Sequence, residues 1–288
     1  MLKTIILAVG VLISSASQAG MRTYSAPVET SMWEISQQTR LICELEHNIP
    51  GYGRASFITE ASKQLNLEFN LDMVRLPSRF DTASVYSTPP TWMTGAMQRK
   101  LGTMDIRKQY DGDLPEATAW DMLTELEKGY WPTIHYQDWL NSQDSVAVSL
   151  NASNFSPEYH QFNACVDNLL RYSFDDIAYT VLSYKKNSSE LSKYSQSRLD
   201  MIGEYLKEDI DLELVLVDGY TDSYGGSWLN EQLSIKRASE IKDFFASMGV
   251  NPERIEVTGH GEKRHSSPND NTLEREKNRR VVIRMSKP

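Results

Sequence analysis

Near residue 170 the hydrophobic rhythm of this chain changes, and a two-domain organisation follows from the change. Before that point apolar residues recur at every second position. Leu65, Leu67, Phe69, Leu71 and Met73 alternate with Asn66, Glu68, Asn70 and Asp72, and Val146, Val148 and Leu150 repeat the pattern. This is the period of a strand with one wet face. After residue 170, short apolar runs alternate with helical segments. A strand is expected over Ile177–Tyr184 and a helix over Ser192–Lys207, with Leu199, Ile202, Tyr205 and Leu206 inward. A strand from Leu212, a helix from Asn230 and strands over Arg254–Val257 and Arg280–Met285 complete a βαβαβ series, the mark of a layered α/β domain. The chain therefore reads as α+β. A mostly antiparallel β domain, sheet or barrel-like, spans 20–170, and a layered α/β domain spans 171–288. Within the first, helices are expected over Pro115–Lys128 and Pro157–Leu170, and Arg75–Gly95, with Pro77, Pro89 and Pro90, reads as loop.

Residues 1–19 have the texture of a secretion signal. Lys3 precedes an apolar run from Ile5 to Ile13, and Ser17-Gln18-Ala19 offers a cleavage site. The run is about half of the roughly 20 residues that span a bilayer, so a soluble, exported mature chain is expected. The two cysteines, Cys43 and Cys165, lack the close spacing of metal or redox sites. In an oxidising compartment the default is one disulfide between them; two buried free thiols are the alternative.

The helix expected over Asn230–Met248 carries an anomaly. At about 100° per residue, Leu233, Ile241, Phe244, Phe245 and Met248 share a face. Asn230, Ser234 and Arg237 project from that apolar face too. Buried polar groups need partners. The strand before this helix ends in Asp218-Gly219-Tyr220-Thr221-Asp222, which puts a carboxylate near the C-terminal edge of the sheet, where open α/β folds bind ligands. Two readings follow. Arg237 locks the fold by pairing with Asp222 or another acid, or Asp222 receives an ammonium and Arg237 a carboxylate of one zwitterionic ligand.

A net charge of −9 argues against general nucleic-acid binding. Residues 261–288 hold eight Lys or Arg against four Asp or Glu, while everything before them carries −13. A basic tail of this kind suits an acidic polymer or partner, or simply a solvated face. Nucleophile elbows, zinc-protease motifs, phosphate loops and dinucleotide fingerprints are missing from the sequence; no enzyme activity, cofactor or metal is expected. His260, Glu262 and His265 read as a surface turn rather than a metal site. Trp131, Tyr136 and Trp139 read as core before sugar platform.

The spacing Gly219-Tyr-Thr-Asp222, Asn230, Leu233-Ser234, Arg237-Ala238 and Asn278-Arg-Arg-Val281 resembles the OmpA-like peptidoglycan-binding domain. That resemblance implies a site for the diaminopimelate of the stem peptide. Asp222 and Arg237 match the ligand-holding positions, Thr221, Asn230 and Leu233 the neighbouring contacts, and at least one of Arg279 and Arg280 the pocket lining. It favours the pocket over the structural ion pair. Glu274-Arg275 stands where the family often has Gly-Arg, which affects the local loop. Further residues extend the resemblance over nearly the whole mature chain: Ser31-Met-Trp-Glu34, Cys43-Glu-Leu45, Ile49-Pro50, Phe57 through Ala61-Ser-Lys63, Thr118-Ala-Trp120, Leu123 through Gly129, Tyr136-Gln-Asp-Trp139, Asn168-Leu-Leu170 and Tyr172-Ser-Phe174. They are similar to the MotY family of periplasmic proteins in sodium-driven flagellar motors. The resemblance implies a C-terminal domain that grips peptidoglycan and an N-terminal domain that joins the basal body. It further implies a ring formed with a MotX-like partner that helps position stator units, and a location in the periplasm at basal body and wall. A general wall tether unrelated to motility, and a wall-modifying enzyme, are the competing readings.

Overall fold

The computed structural model describes residues 20–185, 190–210, 212 and 214–287; the signal expected over 1–19 lies outside them. By its contacts the chain forms two compact units that interleave in sequence. One comprises the described residues up to Trp33 with His47–Ser56 and Phe69–Ser156; the other comprises Glu34–Glu46, Phe57–Glu68 and the described residues from Pro157 on. Among the described residues, no helix is long and apolar enough to cross a membrane.

The first sheet has ten strands. In spatial order they are β1 (Met21–Ser25), β10 (Ser145–Ser149), β9 (Trp131–Gln137), β6 (Asp81–Thr88), β7 (Arg99–Ile106), β8 (Gly112–Asp113), β5 (Glu68–Met73), β4 (Gly53–Glu60), β3 (Ile42–Ile49) and β2 (Trp33–Gln38). β1 joins β10 in parallel, while β10 with β9 and β6 with β7 are antiparallel. Helix α1 (Glu116–Glu127) lies between β8 and β9 in the chain, and α2 (Phe155–Asp167) follows β10. Cys165 of α2 and Cys43 of β3 form a disulfide, Cα atoms 6.0 Å apart.

Strand β6 corrects the loop expected over 75–95. Its inward residues, Ala83, Val85 and Ser87, are buried but small or polar, so the alternation leaves little hydrophobic signal between the flanking prolines. Strand β5 is also shorter than its pattern, because Leu65 is exposed and precedes it. Trp131, Tyr136 and Trp139 do not form one face: Tyr136 stacks on Trp139, whereas Trp131 meets Trp92 edge-on at 5.8 Å.

The second sheet runs β11 (Tyr179–Ser183), β14 (Arg280–Ser286), β12 (Leu214–Gly219), β13 (Ile255–Gly259). β12 and β13 are parallel, and β14 runs antiparallel to β11 and β12. Helices α4 (Lys193–Glu208) and α5 (Ser227–Ser247) supply Leu199, Ile202, Tyr205, Leu206, Ala238, Ile241 and Phe245 to a core shared with Val215, Val217, Val281 and Ile283. Ala61 and Leu170 join the same cluster. A short α3 (Phe174–Ile177) takes up the start of the first expected strand.

Two glycines set how closely α5 approaches the sheet. Gly219 and Gly259 face each other in register. A Cβ on Gly219 would stand 2.1 Å from the Ser234 carbonyl oxygen, and one on Gly259 would stand 2.6 Å from the Ser234 hydroxyl. With hydrogens there instead, Ser234 sits directly over the strand ends, and its hydroxyl accepts from the Gly261 amide at 2.9 Å while donating to the Glu231 carbonyl at 2.7 Å.

Candidate functional site

Beyond Gly219 the chain leaves the sheet as Tyr220-Thr221-Asp222, a buried loop held by backbone bonds. The Tyr220 amide donates to the Arg280 carbonyl at 2.9 Å, the Thr221 amide to the Gly261 carbonyl at 2.8 Å, and the His260 amide to the Gly219 carbonyl at 2.9 Å. The Tyr220 ring is packed by His260, stacked at 4.8 Å, and by the Arg280 guanidinium at 4.0 Å. This fixes the loop that carries Asp222.

Asp222 Oδ1 accepts from the Tyr224 amide at 3.0 Å. Its Oδ2 accepts from Arg279 Nη1 at 2.7 Å. The ion pair at this position is therefore Asp222–Arg279, and Arg237 stands apart from it. Arg237 is 6% exposed. Its guanidinium lies 4.5 Å over the Tyr184 ring, and its Nη1 reaches the Tyr220 carbonyl at 3.4 Å. Arg237 Nε has no hydrogen-bond partner, nor have Thr221 Oγ1 and Arg279 Nη2. Burial lowers the Arg237 pKa; Tyr184 opposes that shift, the nearby Arg279 charge reinforces it, and Asp222 opposes it more weakly. A guanidinium so placed, with no ion pair among the described residues, has lost hydration without gaining an anion.

The remaining expected residues divide between contacts. Asn230 Nδ2 donates to Glu262 Oε2 at 2.9 Å. Asn230, Ser234 and Arg237 do share the buried stripe of α5. Leu233 does not: it is 39% exposed, because Ala238, Ile241 and Phe245 centre the inward face one residue around the helix. It joins Tyr224, Trp228 and Leu229, all exposed, at the start of α5. Arg280 turns away, its Nη2 donating to the Arg264 carbonyl at 2.9 Å. Thus one of the two arginines reaches Asp222 and the other caps a carbonyl. His260 meets Asp218 at 2.8 Å, Glu262 meets Asn230, and His265 meets Asn269 at 3.0 Å; the three side chains serve different partners.

Asn278, the first residue of the Asn278-Arg-Arg-Val281 motif, supports the site together with Asn269 and helix α6 (Thr272–Asn278), neither of which the sequence reading named. Buried Asn278 accepts from the Ser266 and Ser267 amides at 2.9 and 3.1 Å and donates to the Ser267 carbonyl and Asn269 Oδ1 at 2.8 and 3.0 Å. Asn269 Oδ1 in turn accepts from the Ser223 amide at 3.2 Å, next to Asp222. Arg275 donates to the Asn269 carbonyl at 2.9 Å. The Glu274-Arg275 pair is accommodated in α6, where the Glu274 amide donates to the capping Asn271 side chain at 3.0 Å. That Asn271-x-x-Glu274 spacing was the available sequence signal; seven residues with no apolar period hid it.

Comparison with known proteins adds the lineage. A family model of the MotY N-terminal domain matches residues 24–171, and one of the OmpA family matches residues 183–279. The sodium-type flagellar protein MotY of Vibrio parahaemolyticus serotype O3:K6 is 40% identical over 277 residues, 96% of this chain and 94% of its own length. Outer membrane protein A of Bordetella avium is 34% identical over 97 residues, covering 34% of this chain and 50% of its own length. The crystal structure of the peptidoglycan-associated lipoprotein from Burkholderia pseudomallei aligns with 37% of this chain and 89% of its own, at 23% identity and a TM-score of 0.34.

Proposed function

This chain belongs to the MotY family, and on that premise we propose that it is a periplasmic flagellar motor component that grips peptidoglycan through its OmpA-family domain. Its N-terminal domain joins the basal body and a MotX-like partner, and the assembly helps position stator units. The observation that carries the wall-binding half is Arg237, a buried guanidinium with no ion pair among the described residues, on helix α5 and hydrogen-bonded to the Tyr220 carbonyl of the loop that carries Asp222. Diaminopimelate in a stem peptide offers an ammonium and a carboxylate on one carbon. The carboxylate meets the planar Arg237 fork, and the ammonium takes a share of Asp222 alongside Arg279. Thr221 and Asn230 supply the flanking polar contacts, and Leu233 the apolar one. The Cys43–Cys165 disulfide supports an oxidising compartment.

A deletion strain tests the motor assignment. Cells lacking the chain should build filaments and fail to swim, with swimming restored by the wild-type gene. Normal swimming combined with a fragile or blebbing envelope would point to a general wall tether instead.

A further inference from the structure

Among the cavities of the first unit that the wall-binding reading leaves without a role, one is lined by aromatic rings. Tyr136 of β9 is buried, and its ring stacks on Trp139 with centroids 4.8 Å apart and planes within 3°. The Tyr136 hydroxyl donates to the buried Tyr52 hydroxyl at 3.2 Å, and the Tyr52 ring lies 5.2 Å from that of Tyr24. These four rings wall a pocket of about 210 Å³. Burial pushes the Tyr136 phenol up to about 12. Pockets for drug-sized molecules run from about 300 to 1,000 Å³, so this one holds a single side chain or sugar ring.

The rim chooses between those occupants. Val74 and Leu140 both border the opening, 76% and 63% exposed. Exposed aliphatic groups beside an aromatic pocket suit a protein contact better than a saccharide, whose hydroxyls would find Arg75 as the exposed polar side chain of the lining. The one carboxylate of the lining, Asp138, is already committed. Its Oδ1 accepts from the Leu140 amide at 2.9 Å, and its other oxygen is ion-paired with Arg22. It has little to offer a sugar hydroxyl or a ligand cation. Arg75 also borders the pocket, exposed and without an ion pair among the described residues, and its complement is an acid.

We propose that this pocket seats one large apolar side chain of a partner protein, presented on a segment with an Asp or Glu beside it to meet Arg75. The inference deepens the partner half of the proposed function and rests on that reading only for the partner's place in the motor. The full mature chain labelled with fluorotryptophan provides the test by fluorine NMR, with the Trp139 signal assigned from Trp139→Phe. Titration with acetyl-Phe-Asp-amide should move that signal saturably. Val74→Asp or Leu140→Asp should weaken the response roughly tenfold. Both residues are exposed, so unchanged signals from the other tryptophans will certify the fold. Arg75→Glu should reverse the preference in favour of acetyl-Phe-Lys-amide. A Trp139 signal that does not respond overturns the proposal. An equal response to diacetylchitobiose, lost in the same variants, overturns it too and makes the pocket a saccharide site. The pocket shares no residue with Asp222 or Arg237, so the wall-binding reading, tested by sacculus binding in variants of those two residues, and this one, tested by the Trp139 response, fail separately.

Discussion

Arg279 Nη1 stands 2.7 Å from Asp222 Oδ2, so the carboxylate in the loop after β12 is neutralised before any ligand arrives, whereas Arg237 on the facing helix has no such partner. The site is thus asymmetric: its anion is held in reserve by a resident cation, and its second cation is the one left open. A zwitterionic ligand would supply the missing anion and compete for the occupied one.

The Asp222–Arg279 pair should be measurable as a coupling. Asp222→Asn and Arg279→Gln each leave one partly buried charge behind, while the double variant leaves none. A double-mutant cycle by urea unfolding should return a coupling of about 1–3 kcal/mol. A coupling indistinguishable from zero would mean that the pair does not hold the loop.

Arg237 should behave oppositely. Its guanidinium is buried without a counter-ion, so Arg237→Met removes a desolvated charge and keeps the packing volume. Unfolding free energy should stay within about 1 kcal/mol of wild type or rise. A loss of about 3 kcal/mol or more would identify Arg237 as part of the scaffold.

Gly219→Ala should damage the same site from behind. A Cβ placed 2.1 Å from the Ser234 carbonyl oxygen forces backbone to move, at a cost of about 2–4 kcal/mol. An unfolding midpoint unchanged in Gly219→Ala would show that α5 is not seated as tightly as described.

His47 gives the fold a dependence on pH. It is buried against Trp33 at 4.4 Å, and its Nδ1 meets the Met32 carbonyl at 2.9 Å. Nδ1 therefore carries the proton, and Nε2 is buried without a partner. Burial, opposed by the Met32 bond, lowers its pKa from 6.5 to about 4. The unfolded chain binds this proton first, so stability is fully present above about pH 6.5 and declines as pH falls towards 4, by about 2–3 kcal/mol for this group. His47→Gln, which can still donate to Met32, should show a shallower decline between pH 6.5 and 4.5 in urea midpoints. Parallel declines in the two proteins would contradict the assignment.

The parts of this molecule that declare themselves in sequence are those with a strong period. The buried polar stripe Asn230, Ser234, Arg237 follows from 100° spacing alone. Strand β6 does not, because Ala83 and Ser87 bury too little apolar surface to mark its inner face. Nor does the choice between Arg279 and Arg280. Adjacent identical residues are separated only when β14 starts at Arg280, so that successive side chains leave on opposite sides, and α6 ahead of them has no apolar stripe to betray its presence. The grouping of 34–46 and 57–68 with the C-terminal residues is equally silent, since alternation within a strand records which face is buried and not which core buries it.

Co-sedimentation of the purified mature chain with peptidoglycan sacculi, beside Asp222→Asn and Arg237→Met, tests the central claim most directly. Wild type should pellet with the sacculi, and both variants should remain in the supernatant while each still unfolds in one cooperative transition. Pelleting by all three proteins alike, or by none, would contradict a wall-binding site built on Asp222 and Arg237.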